Sequence, residues 1–318
     1  MTNLSEDRAI GAVVGSAVGD ALGAPFEFGP AGLYSARFPF PMTGDSTEMI
    51  GGGGFGWEPG EFTDDTQMAI VQAESLLACG TLDEADLFER FQVWASDAAD
   101  VGNQTRAVLG SGLAVTEAAA EYYARNHRNS AGNGSLMRST PTAILGATGT
   151  VGETIALARM TSSVTHADPA AGWGTAIHHV MLRAALRRED PFVALQSVLR
   201  TLPEGQERYQ EMLREDWAPS EWELPNGTVW GCLAEAVWAV RSTTSFSGAL
   251  VAAIDLGGDT DTVAAVAGGL AGAIYGFEAI PHRWTDPLHG TVTTASGRVS
   301  WTCFDLIQLT RRLLAGWE

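Results

Sequence analysis

Lysine is absent from this chain of 318 residues: all 19 basic side chains are Arg, set against 38 acidic ones, for a formal net charge of −19. Without Lys there is no Schiff-base chemistry and no Walker-A phosphate loop. The acidic excess argues against a protein that grips nucleic acid through a broad basic surface, so no extensive nucleic-acid surface is expected. A small phosphate-bearing ligand needs only one helix N-terminus or one Arg and stays open. Cysteine is scarce and scattered at Cys79, Cys232 and Cys303, with no CxxC. That spacing argues against zinc ribbons and thioredoxin chemistry and fits a reducing cytoplasm. Glu6 and Asp7 beside Arg8 do not make a signal peptide. The apolar stretch at 263–277 is shorter than the roughly 18 residues of a membrane span, so a soluble chain with no membrane partner is expected. No HExxH or Ser-His-Asp arrangement is present.

What the chain does have is helical periodicity. Apolar residues make up 45% of it, enough for a large core. Ile70, Ala73 and Leu77 recur at helical spacing, as do Leu87, Phe91 and Trp94. The same holds for Val229, Leu233, Val237 and Val240, for Val263, Val266, Leu270 and Ile274, and for Leu306, Leu309 and Leu313. No proline falls between Pro59 and Pro141, and convincing strands with hairpin turns are lacking. The expectation is an all-α protein of ten or more helices. Gly11, Gly15 and Gly19, four apart, share one helix face and read as a surface for close backbone packing.

Three loops are marked by their punctuation. Residues 28–62 hold Pro30, Pro39, Pro41, Pro59 and the glycine run 51–54, which could hinge a lid or be a plain flexible loop. Residues 126–133 form a second loop, and 216–226 a third, with Trp217 and Trp222. There is no fixed-period repeat, low-complexity linker or charged tail.

Two acidic motifs carry the chemistry. Thr63-Asp64-Asp65-Thr66 precedes an amphipathic helix, where capping alone would explain Thr and Asp. Gly257-Gly258-Asp259-Thr260-Asp261-Thr262 precedes the most apolar helix of the chain. Carboxylates at the buried end of such a helix need compensation, because an unpaired buried charge is very costly. With no Lys available, metal is the economical partner. Asp64, Asp65, Asp259 and Asp261 balance two divalent cations, and Thr63 and Thr262 add neutral oxygens. An all-oxygen donor set favours Mg²⁺, Mn²⁺ or Ca²⁺ over zinc or copper. Two such ions about 3.5–4 Å apart can orient substrate hydroxyls and activate a water. If both motifs build one site, residues 1–318 form a single domain despite a length that allows two.

These motifs, quoted with Phe62, resemble the ADP-ribosylglycohydrolase family. Further segments are similar in the same order: Gly19-Asp20-Ala21-Leu22-Gly23-Ala24-Pro25-Phe26-Glu27, Asp100-Val101-Gly102-Asn103-Gln104-Thr105, Gly132-Asn133-Gly134-Ser135-Leu136-Met137-Arg138, Thr165-His166-Ala167-Asp168-Pro169, and Ile280-Pro281-x2-Trp284. The resemblance covers most of residues 8–290. It implies an all-α fold with a dinuclear Mg²⁺ or Mn²⁺ site in a central cleft, and removal of ADP-ribose from modified amino acids or hydrolysis of related compounds.

By matching position, the resemblance makes Thr63, Asp64, Asp65, Asp259, Asp261 and Thr262 the metal ligands. Glu27 becomes a gate from a mobile loop, and Asp100 a substrate-contacting carboxylate. Gly132, Asn133, Gly134, Ser135 and Met137 become the cradle for phosphates and distal ribose, with His166 beside them. The cradle has a physical basis, since glycines admit a pyrophosphate and the pattern 136–145 reads as a helix start. A simple N-cap by Ser135 is the plainer alternative. Arg138 would pair with phosphate or with the acidic cluster. Asp20 would orient the 24–62 loop or support the metal site from behind. His178 and His179 read as structural, and Trp217, Trp222 or Trp230 as candidates to stack on adenine.

The implied reaction is attack of water at the anomeric carbon of the distal ribose, with Asp65 or Asp100 moving the proton. An ADP-ribosylated protein or small molecule is the expected partner, with ADP-ribosyl-arginine favoured. Serine-linked or O-acetyl-ADP-ribose is the alternative linkage, and a catalytically inactive ADP-ribose-binding protein the alternative class.

Overall fold

The computed structural model describes residues 4–39, 47–221 and 225–316. Among them sixteen α-helices follow one another. The first eight are α1 (Glu6–Gly23), α2 (Leu33–Arg37), α3 (Asp64–Cys79), α4 (Glu84–Ala95), α5 (Asn103–Leu109), α6 (Val115–Asn126), α7 (Thr140–Gly146) and α8 (Val151–Ser163). The rest are α9 (Pro169–Leu186), α10 (Pro191–Leu199), α11 (Glu207–Met212), α12 (Val229–Arg241), α13 (Phe246–Ile254), α14 (Thr260–Tyr275), α15 (His282–Thr285) and α16 (Cys303–Ala315). The helical expectation therefore holds, and each of the five apolar stripes read from the sequence lies on one helix.

The axis of the fold is the antiparallel pair α1 and α14. Their glycines meet backbone to backbone. A Cβ added at Gly15 would lie 2.4 Å from the Gly268 carbonyl oxygen, and one added at Gly268 would lie 2.1 Å from that of Gly15. Gly11 meets Gly272 and Gly19 meets Ala264 in the same way. The small-residue face fixes the register, so the C-terminal end of α1 reaches the N-terminal end of α14. By length and composition it is residues 6–26, not 263–277, that match a membrane span, yet the 18-residue apolar window within them is 94% buried inside the protein. The chemistry is that of a core helix, because α14 covers the glycine face.

Around this pair stand α9, α12, α13 and α16. α9 is buried along nearly its whole length, and Asp168 caps it by accepting from the Ala170 N–H (2.9 Å). His178 and His179 are buried on it against Ser139 and Thr142. α3 lies beside α1 and α4, so that both acidic motifs face one region.

One hairpin departs from the all-helical expectation. β1 (His289–Thr294) pairs antiparallel with β2 (Gly297–Thr302), with Thr294 opposite Gly297 across a two-residue turn. Thr291, Val292, Thr293 and Thr294 give β1 its strand propensity. Only Gly290 and Val292 on β1 are buried, so apolar alternation is too short to read.

Candidate active site

Asp20, in the last turn of α1 and next to Gly19 of its glycine face, is where the site is anchored. Its carboxylate accepts from the Thr63 N–H (3.0 and 3.1 Å), the Thr66 N–H (3.0 Å) and the Thr66 hydroxyl (2.6 Å). It thus caps α3 from another helix. Thr63 is the local N-cap residue but makes no side-chain cap. Because Asp20 satisfies the orphan N–H groups, Asp64 and Asp65 are released from capping and can face the cleft. Thr63 is fully buried, with its hydroxyl bonded to Asp64 (3.5 Å).

The second motif approaches from α14. Gly257 and Gly258 both have positive φ, 75° and 72°. Gly258 exchanges backbone hydrogen bonds with Phe28 and Gly29, which ties the loop after α1 onto the acidic motif. A Cβ at Gly257 would lie 2.7 Å from the Ala31 nitrogen, so only glycine admits this approach. Glu27 is thereby set beside Asp259 and Asp261, with one carboxylate oxygen of each within 4.8 Å of the others.

Asp64, Asp65, Asp100, Asp259, Asp261, Thr262 and Glu27 line one cleft of about 420 Å³. Burial first, and then the neighbouring carboxylates, push Asp64, Asp65 and Asp261 well above the ordinary carboxylate range. The same two causes raise Glu27 to about 8, with Asp259, Asp100 and Asp20 as its neighbours. Burial raises Asp20 to about 6 against the hydrogen bonds from Thr66 and Thr63. Asp100 is raised by burial and by Asp259, while Arg106 opposes. Asp65 Oδ1, Asp261 Oδ1 and Glu27 Oε2 are buried without a hydrogen-bond partner. The N-termini of α3 and α14 offset part of this negative charge through their dipoles. They leave a set of hard oxygen donors that fits a bound divalent cation.

The glycine loop forms another wall. Gly132, Asn133, Gly134 and Met137 line the cleft with His166. Asn133 donates to Asp259 Oδ2 (2.9 Å) and to the Asn226 carbonyl (3.2 Å), linking the loop to the acidic motif. His166 is buried, held by Thr165 at Nδ1 (2.8 Å), and burial followed by Arg138 lowers it to about 3, so it is neutral. The glycines make room for this imidazole: a Cβ at Gly134 would lie 2.9 Å from its Cε1.

Several sequence expectations are corrected here. Ser135 does not face the cleft; its hydroxyl is taken by Ser162 (2.8 Å) and Thr175 (3.4 Å). No helix starts at 136, because residues 134–138 are turns and α7 begins at Thr140. This wall of the cleft is therefore a loop rather than a helix N-terminus. Arg138 forms no ion pair among the described residues. Its guanidinium donates to the Gly134 carbonyl (3.0 Å) and to Thr165 (2.7 Å), and lies over the Phe91 ring at 4.6 Å. It is a buried brace for the glycine loop. Trp217 is buried and Trp230 packs against Tyr209 and Arg208, so neither faces the cleft. Trp222 lies outside the described residues. The 51–54 glycine run is tied at two points, by the backbone hydrogen bonds that Gly52 and Trp57 exchange and by Gly53 against Ala24, while Gly54 stands in open space. Trp284, from the C-terminal motif, pins the start of this loop by donating to buried Glu48 (2.7 Å), which Arg283 also engages.

Three participants were not read from the sequence. Asn226 accepts from the Asp259 N–H (2.9 Å) and donates to Gly257 O (2.8 Å) and Glu235 Oε2 (2.8 Å). Its signal was the turn pair Asn226-Gly227. Phe28 and Phe55 line the cleft and are exposed, which sequence alone does not reveal.

A family profile described as ADP-ribosylglycohydrolase matches residues 1–317. The chain belongs to the ADP-ribosylglycohydrolase family. It is thus an enzyme of the ADP-ribosyl hydrolase kind. ADP-ribosylarginine hydrolase Tri1 of Serratia proteamaculans is 33% identical over 297 residues, covering 89% of this chain and 76% of that protein. ADP-ribosyl-[dinitrogen reductase] glycohydrolase of Rhodospirillum rubrum is 32% identical over 295 residues, covering 89% and 90%. ADP-ribosylhydrolase ARH3 of Bos taurus is 28% identical, covering 90% of each chain. A solved structure titled ADP-ribosylglycohydrolase-related protein complex superposes with a TM-score of 0.74 at 32% identity, covering 98% of this chain and 99% of that one.

Proposed function

We propose that this ADP-ribosylglycohydrolase hydrolyses the N-glycosidic bond of ADP-ribosylated arginine, using two divalent cations, Mg²⁺ or Mn²⁺. The observation that carries this reading is the set of unpartnered buried carboxylate oxygens on Asp65, Asp261 and Glu27 in one cleft. Asp64, Asp65, Asp259 and Asp261, with Thr63 and Thr262, would hold the cations, and Glu27, set beside Asp259 and Asp261, would gate them from its loop. When bound, the cations polarise the ribose oxygens and lower the pKa of the attacking water. The choice of arginine rests on the relatives at 32–33% identity, named for arginine and for dinitrogen reductase.

The chain's own groups supply the rest. Gly132, Asn133, Gly134 and Met137 receive the diphosphate and distal ribose through backbone and amide contacts, since no Arg among the described residues lines the cleft. Neutral His166 adds no charge to that wall and offers Nε2 to a hydroxyl. A water oxygen attacks the anomeric carbon as the C–N bond breaks. The bonding pair goes to the departing guanidine nitrogen, which takes up a proton. Asp65 or Asp100 accepts the proton from water and returns it.

The test is release of free ADP-ribose from arginine-linked, serine-linked and O-acetyl-ADP-ribose substrates, each with Mg²⁺, Mn²⁺ or EDTA. Metal-dependent release from the arginine-linked member is expected. Release from a hydroxyl-linked member alone would reassign the linkage. No release from any member, with the fold intact, would leave an ADP-ribose-binding protein.

A further inference from the structure

The cleft lining carries two exposed aromatic side chains, Phe28 and Phe55. Phe28 is 75% exposed and Phe55 is 44% exposed, and both line the same cleft as the carboxylates. Exposing that much aromatic surface forfeits a large hydrophobic gain. Phe28 also has a φ of +60°, a conformation that bulky residues rarely adopt. It is held there by donation of its N–H to the Gly258 carbonyl (2.6 Å) and by the return bond from Gly258 to Gly29 (2.9 Å). A strained backbone that persists because its surroundings enforce it, and that shows an aromatic ring to solvent, points to a ligand contact. Phe55 is set with similar care: its ring leans on Trp57 at 5.8 Å, in the loop closed by the Gly52–Trp57 pair and packed on Ala24.

The position of Phe28 says which part of a substrate it meets. It follows Glu27 and is bonded to the Gly258 backbone, next to Asp259. If the glycosidic bond is broken at these carboxylates, as proposed above, the adenine lies two riboses and a diphosphate away. The leaving group lies close by. The side chains that share this end of the cleft are carboxyl groups, Glu27, Asp100 and Asp259, and no Arg among the described residues lines it. Exposed aromatic faces beside carboxyl groups suit a planar cation.

We propose that Phe28 and Phe55 form a subsite for the guanidinium of the leaving arginine and set the preference for that linkage over hydroxyl-linked ADP-ribose. This rests on the arginine reading given above. The preference comes from cation–π contact that a serine hydroxyl or an acetyl ester cannot make.

The test uses Phe28→Leu and Phe55→Leu, which keep apolar bulk and remove the π face, and Phe28→Tyr, which keeps it. Because both side chains are exposed, the variants should melt with the wild type. KM for ADP-ribosyl-arginine should rise about 3- to 30-fold in each Leu variant, the range of one cation–π contact, and stay near wild type in Phe28→Tyr. The Kd for free ADP-ribose, which has no leaving group, should not change. Equal weakening of free ADP-ribose would place the rings on the nucleotide and overturn the subsite. So would an unaltered KM in an active enzyme. A wild type that releases nothing from arginine-linked substrate but cleaves a hydroxyl-linked one would instead overturn the functional reading, and the subsite with it.

Discussion

Asn226 shows how much of the candidate centre depends on a residue that need touch neither metal nor substrate. It holds the Asp259 N–H, the Gly257 carbonyl and Glu235 at once, and its own carbonyl takes Asn133. Glu235 is half-buried, and burial raises it to about 7 against the hydrogen bond from Asn226. Substituting Asn226→Ala leaves the Asp259 N–H and the Glu235 carboxyl without this partner. Supporting groups of this kind are worth about 10- to 100-fold in metal affinity. Asn226→Ala is therefore expected to weaken Mn²⁺ binding, measured by titration calorimetry, by that factor. Wild-type affinity in the variant would show that the loop holds its shape without Asn226.

At the scale of elements, the α1–α14 glycine contact governs where the two acidic motifs meet. A methyl at Gly268 has no space, because its neighbour is the Gly15 backbone and not a movable side chain. Gly268→Ala should lower stability by about 1–3 kcal/mol or more, the range for overpacking, and shift α14 against α1. A urea titration checks the first effect. Activity loss exceeding the stability loss, at a temperature where the variant is folded, checks the second.

This contact was legible in the sequence, since glycines four apart mark one helix face. So were both acidic motifs, whose Asp pairs sit beside hydroxyl residues where no local cation can balance them. Other features were hidden for physical reasons. The cap on α3 comes from Asp20, 43 residues before Thr63, and a cap supplied across space has no local pattern. Arg138 reads as a charge seeking an anion, but its brace consists of a carbonyl, a hydroxyl and an aromatic ring, none of which advertises itself. Ser135 has the form of a helix cap, yet its partners lie on α8 and α9.

Across the whole molecule, the fold gathers carboxylates that repel one another. In the metal-free protein this makes stability pH-dependent with a definite sign. Glu27 moves from 4.5 to about 8, and Asp20 from 3.8 to about 6. The folded state therefore binds more protons than the unfolded one between those values. Stability from these groups is full below about pH 4, and falls as pH rises toward 8. The Tm of metal-free protein should decline from pH 5 to pH 8. Mg²⁺ or Mn²⁺ should flatten that decline, because the cations favour the ionised carboxylates. A Tm in EDTA that rises across this range would contradict the charge picture.

The most direct measurement is ADP-ribose release from ADP-ribosyl-arginine by the wild type and by Asp261→Asn, with Mn²⁺ and with EDTA, alongside melting curves. A metal centre built by these carboxylates requires release by the wild type with Mn²⁺ and none in EDTA. The variant should lose more than about a hundredfold in rate, beyond the cost of removing a supporting group. Its metal-free Tm should equal or exceed that of the wild type, since a buried carboxyl that must either repel its neighbours or take up a proton is gone. Full activity in EDTA, or undiminished turnover by a well-folded Asp261→Asn, would contradict the proposed centre.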